Sequence, residues 1–265
     1  MLLKLVAVIS ALLVCAVAAP AFARETLLNG RYEVLDGTAS PDGRYVIAWG
    51  IRNRAHTDFT RLDKDRTGDY ADSVGLWDRR RTAASRVVNV IFDRRRNRVV
   101  TRLIGCDYSP GISHGSLNPT WQQNQKLVAV VYGAKWFPAS ICVARYPSSG
   151  RHDEIDIYNG SLRPTVLHYL RRHGGIRYHR MMEADGGSSY ADRETDLFTP
   201  AVELEDEGGR NEIEWHGDEL RLQFFVSITK HEEYGVFHAQ AVYRIQRTRR
   251  GISARFVRFQ KQYWE

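Results

Sequence analysis

Two stretches toward the C-terminal end of the chain alternate apolar and polar residues with a period of two. In the first, Leu220, Leu222 and Phe224 enclose Arg221 and Gln223. In the second, Phe237, Ala239, Ala241, Tyr243 and Ile245 are separated by polar residues except at Val242. A two-residue period gathers apolar side chains on one side only when the backbone is extended. The two stretches are therefore predicted to be neighbouring antiparallel strands with one face buried. Tyr45–Ile51 and residues 127–132 are β-rich and almost continuously apolar. That is the pattern of strands covered on both faces, and it places them in the middle of the fold.

Helix signals are few. Residues 164–173 begin with Pro164, carry Arg171, Arg172 and His173 in their last turn and are closed by Gly174 and Gly175, so one short helix is expected there. Residues 183–196 are polar and turn-rich around Gly186, Gly187, Ser188 and Ser189, and read as a long surface loop. No shift of composition marks a domain boundary. The expectation is an all-β, mostly antiparallel fold in which residues 24–265 form a single β-rich domain.

Ser40, Pro41, Asp42 and Gly43 lead directly into the apolar run that begins at Tyr45. Pro41 sets a turn and Gly43 supplies a permissive backbone. This phrase resembles the repeat of β-propellers of the TolB type and of related WD-repeat blades. Residues 73–78, ending in Trp77 and Asp78, are similar to the strand that closes such a blade. Residues 117–129, with Asn118, Pro119 and Trp121, keep the order of turn, Trp and strand without the Asp-Gly pair. At roughly 40 residues per blade, Ser40 and Asn118 stand about two blades apart. The resemblance implies a propeller-like fold; a two-sheet β-sandwich is the alternative.

The N-terminal end has the three-part layout of a secretory signal: Lys4, a largely apolar run over 5–19, then Pro20 and the small-residue pattern Ala21, Phe22, Ala23 before Arg24. Residues 1–23 are expected to be removed. Pro20 disfavours an uncleaved anchor, and Val14 occupies the place before Cys15 where a lipobox needs a small residue. The remaining chain holds no second long apolar run, so the mature protein is expected to be soluble, exported and periplasmic or secreted, with no transmembrane segment. Cys106 and Cys142 are its two cysteines. An even pair in an oxidising compartment predicts a disulfide, two separately buried thiols being the alternative.

The formal charge is +7, and outside the leader only Lys64, Lys126, Lys135, Lys230 and Lys261 contribute lysine, so arginine carries it. Arg79, Arg80 and Arg81 form one basic run, and Arg94, Arg95, Arg96 and Arg98 another. Both are predicted to be turns at strand ends. Closely spaced guanidinium groups can clamp carboxylates or phosphates, so these seven arginines are the candidate anion-binding residues. Outside the cytoplasm nucleic acid is not the expected partner; an anionic envelope polymer or another envelope protein is.

Catalytic and metal patterns are thin. His168, His173 and His179 cluster, but His168 and His173 are five apart and diverge around a helix. Residues 63–69 begin like a calcium loop with Asp63, Asp65 and Gly68, yet Val74 stands where the closing acid belongs. Paired acids occur at Glu154/Asp156, Glu203/Glu205 and Glu212/Glu214, each on one face if extended. Of these, Glu154 and Asp156 are the candidates for carboxylate chemistry. No nucleophile elbow, phosphate loop, metal motif or cofactor motif is present. The leading expectation is a binding or assembly module of the cell envelope. The alternatives are a hydrolase of cell-wall sugar or lactone substrates with a dispersed site, and a secreted hydrolase inhibitor.

Overall fold

The computed structural model describes residues 24–76, 86–110, 115–123, 126–133, 138–147, 153–179, 201–204, 213–227, 236–248 and 251–264. Residues 1–23, the 183–196 stretch and Arg79, Arg80 and Arg81 lie outside these. The described residues are mostly strand and form three antiparallel sheets. The first is a meander of β1 (Thr26–Leu27), β2 (Tyr32–Val34), β3 (Tyr45–Ile51), β4 (Val87–Asp93) and β5 (Arg98–Leu103). Between β3 and β4 run two short helices, α1 (Phe59–Lys64) and α2 (Asp69–Ser73). The second meander is β6 (Ser116–Trp121), β7 (Leu127–Gly133), β8 (Pro138–Arg145) and β9 (Glu154–Asp156). A π-helical turn over Tyr158–Leu162 leads into α3 (Arg163–His173). The third sheet holds β10 (Ala201–Leu204), β11 (Ile213–His216), β12 (Glu219–Ser227), β13 (Phe237–Thr248) and β14 (Gly251–Trp264), in the order β10-β12-β13-β14 with β11 also on β12.

The second sheet is sealed from both sides. Alternation along β7 and β8 turns Val128, Val130 and Ala144 toward Ile47, Trp49, Ile91 and Leu103 of the first sheet. The intervening Leu127, Ala129, Val131, Ile141 and Val143 face Leu220, Leu222, Phe224, Ala241 and Tyr243 of the third. The core of the chain is thus two apolar seams with one sheet common to both. Ile157, Leu162, Val166 and Leu170 of the π-helical turn and α3 close the second seam. A third cluster, with Val46, Ala48, Val88, Val90 and Phe92, occupies the other face of the first sheet.

Polar ties fix how the first two sheets meet. Tyr146 packs edge-on to Tyr45, with ring centres 4.8 Å apart, and to Trp121, 5.0 Å apart; the Trp121 indole donates to the Thr38 carbonyl at 3.2 Å. Both oxygens of the Glu154 carboxylate accept backbone N–H bonds across the sheets, from Ile104 at 2.7 Å and Gly105 at 2.9 Å. Asn89, fully buried on β4, pairs with both backbone groups of Tyr108 at 2.8 Å. Each such bond satisfies a backbone group that would otherwise be costly to bury.

The strands expected at 45–51, 127–132, 220–224 and 237–245 and the 164–173 helix form, while Ser73 ends α2 and residues 74–76 turn where a blade-closing strand is expected; the stack of sheets fits the sandwich expectation with a third layer added. The phrase at 40–43 makes the turn its residues imply: Gly43 N–H donates to the Ser40 carbonyl at 2.8 Å, with Gly43 at φ +66°. The propeller itself does not follow from this turn, because the described sheets stack as layers and close no barrel. Residues 117–121, expected as a turn before a strand, are themselves part of β6, where Pro119 is tolerated because the strand is an edge. The helices α1 and α2 flank the calcium-loop-like stretch at 63–69. Asp58 caps α1 by accepting the Arg61 N–H at 2.9 Å, and Phe59 buries itself against Trp49 with ring centres 4.9 Å apart. No helix among the described residues is long and apolar enough to cross a membrane.

Because Ile141 is fully buried in the middle sheet, Ile141→Ala is expected to cost about 3 to 4 kcal/mol, lost transfer energy plus a cavity between two sheets that cannot both collapse onto it. Urea unfolding monitored by tryptophan fluorescence reads this as a lower midpoint at unchanged slope.

Candidate functional site

The alternation that buries one side of β12, β13 and β14 sorts their other side into rows. Register places Glu219, Arg244 and Arg255 in one row and Arg221, Val242 and Arg258 in the next. Gln223, Gln240 and Gln260 follow, and then Phe225, His238 and Tyr263. Neighbouring strands are about 4.8 Å apart and same-face residues along a strand about 7 Å apart, so these rows form a grid on the sheet face turned away from the core. Val242, the exception to the alternation, is fully buried although it lies on this face. It sits between Arg221 and Arg258 in the register, where long aliphatic stems can cover an apolar neighbour.

Charge on the grid is unbalanced. Arg221, Arg244 and Arg258 all approach the Glu219 carboxylate, at 3.6, 3.8 and 3.9 Å. Arg244 also lies 3.5 Å from Asp218. These separations give ion pairs without tight hydrogen bonds, each worth little at a wet surface. The Nε atoms of Arg221 and Arg244 are buried without a hydrogen-bond partner, while the Arg258 side chain is 47% exposed. Glu214, opposite Arg221 on β11, is occupied by His216 at 2.9 Å, and that bond holds its carboxyl below the usual range. Arg258 donates to Gln260 at 3.3 Å, and Gln260 donates to Gln240. At the far end the His238 and Tyr263 rings are stacked 4.6 Å apart, and Tyr263 is 49% exposed.

No family model, curated protein or solved structure matches this chain. The chemistry of the face therefore rests on its own residues. Three guanidinium groups converge on the Glu219 carboxylate at 3.6 to 3.9 Å, too long for tight hydrogen bonds, so donors such as those of the half-exposed Arg258 remain for further acceptors, and guanidinium geometry suits carboxylate or phosphate oxygens.

Of the two basic runs read from sequence, the described residues include the second. Arg94 to Arg98 turn from β4 into β5, beside the 40–43 turn. The Arg94 guanidinium is bound by both oxygens of Glu25 and by the Gly43 carbonyl. Arg95 lies near Asp42, lowering its carboxyl slightly beside the larger effect of Ser40, and Arg96 donates its backbone N–H to Asp93 at 3.2 Å. Arg98 pairs with Asp93 at the start of β5. Arg79, Arg80 and Arg81 lie outside the described residues. The arginines of the third sheet were missed because they are dispersed along the chain. Their signal was the polar half of the same alternation that betrayed the strands.

The other candidates are engaged structurally. Glu154 ties two sheets as described, and Asp156 accepts the backbone N–H of Tyr158 at 2.9 Å and the side-chain amide of Asn159 at 2.7 Å. Glu205 and Glu212 lie outside the described residues. Asp65 accepts the Ala71 N–H at 2.7 Å, and Asp63 pairs with Arg24. His173 stacks on Tyr169 with ring centres 4.7 Å apart, and His179 lies against Tyr178 at 6.1 Å. No group of three or more His, Cys, Asp or Glu side chains among the described residues could hold a metal ion.

The cysteine expectation needs correction. Cys106 and Cys142 meet between the first and second sheets, but as free buried thiols joined by a hydrogen bond and not by a covalent bridge. Gly105 makes the room: a Cβ there would stand 2.3 Å from the Cys142 sulfur. Contact with Cys106, reinforced by burial, pushes the Cys142 thiol far up. The compartment rule counted cysteines and not their surroundings. With residues 1–23, and so Cys15, absent from the protein tested, the folded protein should react with iodoacetamide roughly tenfold or more slowly than the urea-unfolded chain, which should take up two labels per molecule by mass, on Cys106 and Cys142. A folded and unfolded chain that both refuse label would instead reveal a bridge.

A polar cavity of about 440 Å³ opens between the β1–β2 edge and β6, lined by Arg24, Glu33, Asp36, Tyr108, Ser116 and Asn118 among others. Glu33 is buried, accepts from the Trp49 indole at 3.1 Å and pairs with Arg24 at 3.2 Å. Burial outweighs these partners and raises its carboxyl above the usual 4.5. A raised folded value means that its contribution is fully present below the unfolded value and is lost as pH rises through the folded one. The stability difference, parent minus Glu33→Gln, should therefore fall as pH is raised above 4.5. Urea midpoints across pH 4 to 8 measure it, and a difference that rises with pH would show that Arg24 outweighs burial.

Proposed function

We propose that this chain is an exported binding module that holds an anionic polymer of the cell envelope against the outward face of β12, β13 and β14. The observation that carries the reading is the register, which sets Arg221, Arg244, Arg255 and Arg258 in adjacent rows around Glu219, with Asp218 at one end and Glu214 engaged by His216. Cations in adjacent rows meet a repeating anion at several points at once. Multipoint contact raises affinity well above that of each pair. Export follows from the signal-like residues 1–23 and sets the partner's compartment. The hydrolase alternative draws no support from Glu154 and Asp156, whose oxygens are bound to backbone and side-chain amides.

Replacing a guanidinium that makes a charge-assisted contact costs about 1.5 kcal/mol, or roughly tenfold in affinity. Arg221→Gln with Arg258→Gln should therefore weaken binding of an anionic polysaccharide by more than tenfold at low salt, and the parent's binding should itself fall steeply as salt rises. Calorimetric titration at two ionic strengths reads both. Equal binding by parent and double variant, or no binding by the parent at low salt, would overturn the reading.

A further inference from the structure

The face that carries the arginines does not end with them. Along the strands the grid passes from charge, through a row of amides, to a row of rings, and its four rows span about 20 Å. A polymer of bare phosphates would use only the charged end. We infer that the ligand is an acidic polysaccharide, a chain of sugar rings bearing carboxylates. Its carboxylates meet Arg221 and Arg258. Its hydroxyls, which both donate and accept, meet Gln260, a side chain already both accepting from Arg258 and donating to Gln240. Amide side chains can exchange such bonds with hydroxyls in either sense.

The aromatic row supplies the third element. His238 covers one face of the Tyr263 ring, and the ring is nevertheless 49% exposed at the outer strand of the sheet. An exposed ring with a polar tip is suited to a ligand that is apolar on one side and hydroxylated at its rim, as a pyranose is. Charge, amide and ring thus lie in the order in which one extended glycan would meet them. This inference rests on the reading of the face as a polyanion site.

The experiment compares three polymers by calorimetry with the chain lacking residues 1–23: polygalacturonate, long-chain inorganic polyphosphate and a neutral glucan. Polygalacturonate should bind at least tenfold more tightly per charge than polyphosphate, and the glucan weakest. Tyr263→Ala should weaken polygalacturonate roughly fivefold and leave polyphosphate unchanged, whereas Tyr263→Phe should restore most of the loss. Arg258→Gln should weaken both polyanions. Melting temperatures verify that each variant is folded, and Tyr263→Phe keeps the test valid if the alanine variant is not. Polyphosphate binding as well as polygalacturonate, with Tyr263→Ala neutral, would overturn the glycan and leave the charge reading standing. Glucan binding as tightly as polygalacturonate would overturn the acidic part. Failure of both polyanions to bind would remove the underlying reading.

Discussion

Apolar burial on both faces of β7 and β8 is the constraint from which the rest of the architecture follows. Leu127 to Val130 and Ile141 to Ala144 are at most 1% exposed, and a strand with no wet side requires a sheet on each flank. The first and third sheets are those flanks, and each buries its inner face on the middle sheet. Hydrophobic burial is non-directional, so it would hold the layers together in many relative positions. The aromatic contacts of Tyr146 and the Glu154 and Asn89 ties to backbone groups select one of them.

The two kinds of charged residue have different work. Buried or partly buried acids are tied into the fold: Glu154 and Asp156 bind amides, and Asp93, 1% exposed, is gripped by Arg44 through bonds of 2.7 to 3.2 Å. That grip holds the Asp93 carboxyl below its usual range. Arginines on the third sheet meet their acids only at 3.5 to 3.9 Å, with the Nε atoms of Arg221 and Arg244 buried without a hydrogen-bond partner and the Arg258 side chain 47% exposed. The same residue type is thus fixed in one sheet and under-satisfied in another. Position relative to the core decides which.

Periodicity made the strands of the middle and third sheets legible, and the proline, the basic last turn and the paired glycines made α3 legible, because these signals are local. The short helices α1 and α2 were not, since α1 depends on Phe59 packing against Trp49 and α2 is a single turn without a side-chain cap. Sequence-adjacent arginines such as Arg94 and Arg95 looked like a site and are divided among separate partners. Arg221, Arg244 and Arg258 looked like isolated polar positions and converge, because pairing register is a long-range property. The cysteines were correctly drawn to one another in space, but their bonding state was read from the compartment and differs in the structure.

Arg24 and Glu25, the first of the described residues, are held from several sides. The Arg24 guanidinium reaches Glu33, Asp63 and the Phe59 carbonyl at once, and Glu25 accepts the Val34 N–H at 2.9 Å through its backbone and binds Arg94 through its side chain. Cleavage by a protease needs a stretch of backbone that can leave its neighbours and lie extended in a cleft. At these two residues that would mean breaking side-chain and backbone bonds together, so this end of β1 resists proteolysis as part of the sheet and not as a tail.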